Sequence, residues 1–157
     1  MTRLWGRILG GQRLYAPAPA GHWSTTTMIA ALRLSGPTAP MVINGPVDTE
    51  VFRAYVDQVL TPVLDVGDVV VLDNLSSHKA PDIRERVERV GAHLWYLPPY
   101  SPDFNPIEQM WSKVKNALCK AAARTEHALY LAIAEALQAI TPTDARGWFH
   151  HCNYGYI

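Results

Sequence analysis

Two acids stand where metal-dependent phosphoryl-transfer chemistry wants its ligands. Asp73 closes the apolar run Val69-Val-Val-Leu, and Glu108 falls in the opening turn of a helix expected from Asn105-Pro106. A carboxylate at the carboxyl end of a strand lies where α/β sheets place their ligand sites. Buried without a partner it would be costly, and a divalent cation, a helix N-terminus or an arginine can be that partner. An aspartate that merely caps the next turn is just as common. The helix dipole alone favours a glutamate in a first turn. The pairing is the stronger signal: 34 residues lie between the two acids, enough for a helix, a strand and a loop to return to the same sheet edge. Such a site normally takes a third carboxylate from an earlier strand. Residues 1–47 contain neither Asp nor Glu, and the first acid is Asp48.

The elements that must hold these acids are legible in outline. Arg13-Leu-Tyr-Ala and Trp23 to Leu34 read as strands, the second β-branched at its start and apolar after it. Ser35-Gly-Pro interrupts, and Pro40 to Asn44 is a further short extended piece, so antiparallel strands in a meander are expected. Asp48 is a helix cap, with Val51, Phe52, Tyr55, Val56, Val59 and Leu60 as an apolar stripe behind it. Val69 to Asp73 is continuously apolar, the mark of a strand buried on both faces. A helix over 79–90, with Pro81 early and Gly91 at its end, leads to a strand at His93-Leu-Trp-Tyr-Leu. A loop with prolines at 98, 99, 102 and 106 then sets where the Glu108 helix begins. Its buried stripe is Ile107, Met110, Trp111, Val114, Leu118 and Ala121. Helices capped by Thr125 and Thr141 follow. Trp95 and Trp111 read as core residues.

Bulk properties suit one globular domain over residues 1–157. The chain is 48% hydrophobic and 18% charged, with zero formal net charge. That balance argues against a basic coat over the whole surface but not against a basic stripe. Lys113, Lys115, Lys120 and Arg124 follow one another with no acid between Gln109 and Arg124. A solvated helix face is the plainer reading of that charge alone. Cys119 and Cys152 form no paired motif, and His150-His-Cys152 are too close in sequence to converge on one ion. No signal-like segment and no membrane-length apolar run is present, so a cytoplasmic chain with no membrane partner is expected.

The flanking residues carry a specific resemblance. Val69-Val-Val-Leu-Asp73-Asn74-Leu-Ser-Ser-His78-Lys79 and Leu97-Pro-Pro-Tyr-Ser-Pro-Asp-Phe-Asn105-Pro106-Ile-Glu108-Gln-Met-Trp111-Ser-Lys113-Val-Lys115 resemble the catalytic core of mariner-superfamily transposases. Within these the bacterial insertion-sequence 630 family looks most similar, from Trp5-Gly-Arg to the terminal His-Cys-Asn-Tyr-Gly-Tyr. The resemblance implies a ribonuclease H-like mixed sheet flanked by helices. It also implies two aspartates and a glutamate holding two Mg²⁺ or Mn²⁺ ions for phosphodiester cleavage and strand transfer on double-stranded DNA, at transposon ends and target. Asp73 matches the second aspartate and Glu108 the glutamate. Asn74, His78 and Asn105 match supporting positions, and Lys79, Lys113 and Lys115 are candidate phosphate contacts.

One departure qualifies this. The family's first aspartate would precede Trp5, on a first strand expected to be missing here. Gly10-Gly-Gln-Arg-Leu and Gly21-His-Trp, which match later strands, bring no acid. The 157 residues alone are therefore expected not to cleave DNA. Partners could be the upstream half of a split transposase or a second copy in a homo-dimer. A non-enzymatic regulator and a decayed remnant are the rival readings. An unrelated Mg²⁺ phosphatase or receiver-type domain fits poorly, because the further acids it needs are not visible.

Overall fold

The computed structural model describes Gly10, Tyr15 and residues 25–155. The expected strand at Arg13 and the segments around Trp5, Gly10-Gly and Gly21 lie wholly or mostly outside the described residues. Strand β1 (Thr26–Arg33) and strand β2 (Gly36–Asn44) form an antiparallel hairpin. Leu34 and Ser35 make its tight turn, and Gly36 follows at φ 125°, a left-handed backbone that suits only glycine well. A short extended piece was expected only from Pro40 to Asn44; the strand begins earlier, at Gly36. The register slips between Ile29 and Ala31, and Ala39 takes φ 50° there, so a bulge absorbs the Ala39-Pro40 step.

The two faces of β1 enter two different cores. Ile29 and Ala31 pack with Phe52, Tyr55, Val56, Leu60, Ile83, Val87 and Leu94. Met28, Ala30 and Leu32 pack with Met110, Val114, Leu118, Ile133 and Ala136. Strict alternation along a strand does this.

Helix α1 (Thr49–Tyr55) starts where Asp48 accepts the Val51 amide at 2.9 Å. It continues as a π-helical turn, Val56–Leu60, and a short 3-10 turn, Thr61–Val63, that contains Pro62. Strand β3 (Val69–Leu72) and strand β4 (His93–Tyr96) pair in parallel, joined by helix α2 (Pro81–Glu88). The expected start at Lys79 is corrected: Ser76–Lys79 is a separate 3-10 turn, and α2 begins at Pro81, whose ring suits a first helical position. Helices α3 (Pro106–Ala121), α4 (Glu126–Gln138) and α5 (Pro142–His151) complete the order. Thr125 caps α4, and Thr141 with Asp144 forms a reciprocal capping box on α5. In α3 the buried stripe is Met110, Val114 and Leu118; Ala121, expected inside, is exposed at the final turn.

Two expectations about burial are overturned. Strand β3 is covered on one face only: Val69 is 45% and Val71 38% exposed. Trp95, expected in the core, is 64% exposed beside them. Among the described residues β3 pairs only with β4 and β1 only with β2.

Candidate active site

The parallel pair ends at a tied tip. Pairing runs past β4, the Leu97 amide donating to the Leu72 carbonyl at 2.9 Å. The Asn74 side-chain amide donates to the Leu97 carbonyl, which fastens the loop after β3 to the end of β4. Asp73 stands just beyond β3. Its Oδ1 accepts the Leu75 amide at 2.9 Å, a turn that aspartate forms readily. The same oxygen lies 2.7 Å from His78 Nδ1. A carboxylate that close assigns the ring proton to Nδ1. His78 is itself held at three points, one on its ring and two on its backbone. Its ring lies against Phe52, 4.2 Å between centroids, its amide donates to the Leu75 carbonyl at 3.0 Å, and its carbonyl accepts from the Tyr96 hydroxyl at 2.9 Å. Both bonds fall on Oδ1, and among the described residues none is made to Oδ2.

Glu108 comes from a second direction. Pro102–Phe104 is a 3-10 turn, the Tyr154 hydroxyl donates to the Phe104 carbonyl at 3.0 Å, and Pro106 is buried at the first position of α3. Asn105 occupies the cap position, but its side chain makes no capping bond; the Glu108 amide is met by the Asn105 carbonyl at 3.1 Å. Glu108 is exposed in the opening turn. Asp73, His78, Asn105 and Glu108 all line one groove of about 380 Å³. Its other walls are β1, β3 and apolar side chains of α1, α3 and α5.

The cations divide. Lys79 and Lys115 are exposed. Lys113, expected to meet phosphate, instead donates to Asp144 at 2.7 Å and joins α3 to α5. The Lys113 ammonium and the Thr141 amide and hydroxyl hold the Asp144 carboxyl down to about 2. That contact joins residues 31 apart, which no local pattern signals. Arg33 was also missed by sequence reasoning. From the end of β1 its guanidinium reaches the Val63 carbonyl at 2.8 Å and Asp68 Oδ1 at 3.1 Å, just before β3. Phe52 and Tyr96, which position His78, read from sequence only as apolar stripe and strand.

Asp73 and Glu108 are hard oxygen donors of the kind Mg²⁺ and Mn²⁺ take. Among the described residues no group of three or more His, Cys, Asp or Glu is placed to hold an ion. No helix among the described residues is long and apolar enough to cross a membrane.

A mixed α/β chain with acids at the carboxyl edge of a parallel strand pair fits the ribonuclease H-like class. Solved structures similar in fold agree. The Mos1 strand transfer complex matches with TM-score 0.71 at 16% identity, over 97% of this chain and 46% of that one. A Mos1 transposase paired-end complex with left transposon end matches with TM-score 0.67 at 16% identity, over 97% and 47%. The chain thus spans about half the length of these structures. No curated protein matches it. The sequence signature described as DDE superfamily endonuclease matches residues 2–130, and the chain belongs to that family.

Proposed function

We infer that the chain is the catalytic core of a DNA transposase of the insertion-sequence 630 type, and that these 157 residues do not cleave DNA unaided. The observation that carries the reading is the shared groove: Asp73 from the end of β3 and Glu108 from the start of α3 line it together. The family membership and the fold likeness to Mos1 transposase complexes support it. Asp73 Oδ2 and the Glu108 carboxylate would hold Mg²⁺ or Mn²⁺. Bound there, such ions supply the activated nucleophile and the stabilised leaving oxygen of a phosphodiester exchange. The protein's own part is to aim the acids. His78 and the Leu75 amide hold Oδ1, so Asp73 offers its other oxygen. Asn74 fixes the loop, and Lys79 and Lys115 lie exposed to receive phosphate on double-stranded DNA. The absence of any acid before Asp48 supports inactivity of the isolated chain, because two carboxylates fix two ions poorly.

Mn²⁺ titration followed by electron paramagnetic resonance tests the site. Weak binding is expected, lost in both Asp73→Ala and Glu108→Gln. Binding that neither substitution alters would remove the reading. Supercoiled DNA should stay intact with the chain alone in Mn²⁺; nicking abolished by Asp73→Ala would overturn the claim of inactivity.

A further inference from the structure

The start of α3 carries no side-chain cap of its own. Asn105 stands at the cap position without a capping bond, and a 3-10 turn, Pro102–Phe104, leads into it. A helix N-terminus leaves orphan amides that a cap side chain commonly meets. Glu108 is the acid this turn must place, so its position depends on support from elsewhere in the chain.

That support comes from the end of α5. The helix closes in a Schellman stop, where a left-handed residue turns the chain back on the last turn. Asn153 supplies it at φ 63°, a backbone that asparagine tolerates better than most residues. The Asn153 amide donates to the His150 carbonyl and the Tyr154 amide to the Phe149 carbonyl, both at 3.0 Å. The Tyr154 ring completes the motif edge-on against Phe149, 5.5 Å between centroids. The reversal aims Tyr154 at the loop before α3, where its hydroxyl donates to the Phe104 carbonyl at 3.0 Å. Burial raises the Tyr154 pKa, so the hydroxyl stays a neutral donor. Cys152, just before the turn, is 3% exposed, and the Gln109 side-chain amide donates to its sulfur at 3.6 Å. The two contacts fall on either side of Glu108 in the chain. Gln109 and Lys113 share a face of α3, and Lys113 meets Asp144 at the other end of α5. So α5 runs antiparallel along that face, with its last turn at the Glu108 end. Phe149 and Tyr154 line the same groove as Asp73 and Glu108.

We propose that Tyr154 is a positioning residue for Glu108. Its hydroxyl and the Cys152 sulfur clamp the start of α3 from outside and so fix where the Glu108 carboxylate enters the groove. Neither residue touches an ion for this; both act through residues 104–109. The clamp rests on geometry alone, and its consequence for metal binding rests on the function inferred above.

The test compares two variants of the whole chain. Tyr154→Phe keeps the ring and removes the donor; Asp144→Asn loosens α3 from α5 at the distant end. Mn²⁺ affinity is read by electron paramagnetic resonance, and local opening by amide hydrogen exchange. Tyr154→Phe should weaken Mn²⁺ binding about tenfold, as loss of a supporting residue does at metal sites. Exchange should quicken about tenfold at the Glu108 and Met110 amides and stay unchanged at Leu118, because the opening is local. Asp144→Asn should leave Mn²⁺ affinity unaltered. Unaltered affinity and unaltered exchange in Tyr154→Phe overturn the clamp and leave the metal reading standing. So does an equal loss of affinity in Asp144→Asn, since the effect is then a general loosening of α3. Faster exchange without weaker Mn²⁺ binding overturns the positioning role. Mn²⁺ binding that Glu108→Gln leaves unaltered removes the metal reading instead, and exchange at Glu108 then decides the clamp alone.

Discussion

The hairpin β1–β2 and the parallel pair β3–β4 are the same size in strand number and opposite in support. The hairpin closes on itself through Leu34 and Ser35, and β1 feeds a separate core from each face. The parallel pair needs α2 as its crossover and is packed on one face only, leaving Val69, Val71 and Trp95 in solvent. Antiparallel neighbours can be joined locally; parallel neighbours are stable mainly when both faces and both edges are covered. The proposed site draws one of its two acids from the less supported half. That half supplies Asp73, while Glu108 arrives from the helix that packs on the better supported one.

The contrast can be broken most forcefully in the core common to both halves. Phe52 is 2% exposed, packs in the core that joins β1 to β4, and stacks on His78. Phe52→Ala should cost about 3–5 kcal/mol in urea unfolding, the range for deleting a buried aromatic. A loss below about 1 kcal/mol would mean that this core does not join the two half-sheets. Arg33 is the polar tie between β1 and the turn before β3. Arg33→Met should cost about 1 kcal/mol, discounted because the guanidinium and Asp68 are both partly exposed. The midpoint should move with little change in m-value if the halves still unfold together.

Acid should next distinguish the α3–α5 join from the β3 tip. The folded-state pKa of Asp144 lies near 2, below its ordinary value of 3.8, because of Lys113 and Thr141. Its contribution is therefore complete above about pH 4 and is lost as pH falls toward 2. After solvent screening the loss should be about 1 kcal/mol or less, and Asp144→Asn should flatten that part of the pH profile. An unchanged profile in the variant would assign the acid sensitivity elsewhere. The smallest effect belongs to the wet face of β3–β4. Val71→Thr and Trp95→Ser should each stay within ~0.5 kcal/mol, as surface changes do. A cost of 2 kcal/mol at either would show that this face is covered in solution.

Much of the candidate site's local framework was readable before any coordinates. Asp48, Thr125 and Thr141 cap the helices they were expected to start, because capping depends on residues three apart in the chain. The run from Val69 ending at Asp73, and the Pro-rich loop before Glu108, carried the family resemblance for the same local reason. Long-range choices were not readable. Nothing in the sequence pairs Lys113 with Asp144 or Arg33 with Asp68, and Trp95 looks like core until its neighbours are known. The bulge at Ala39 was hidden because Pro37 and Pro40 looked like a break between strands rather than a strand accommodating two prolines.

By itself, then, the sequence marked most of the segments that become helix or strand and the caps at Asp48, Thr125 and Thr141. Those outcomes depend on hydrogen bonds and side-chain periodicity within a few residues. The tertiary structure alone decided that Asp73 and Glu108 line one groove, that His78 Nδ1 meets one Asp73 oxygen, and that Lys113 on α3 reaches Asp144 on α5. Those outcomes depend on segments up to dozens of residues apart meeting across a core, where packing selects the partners and local propensity is silent.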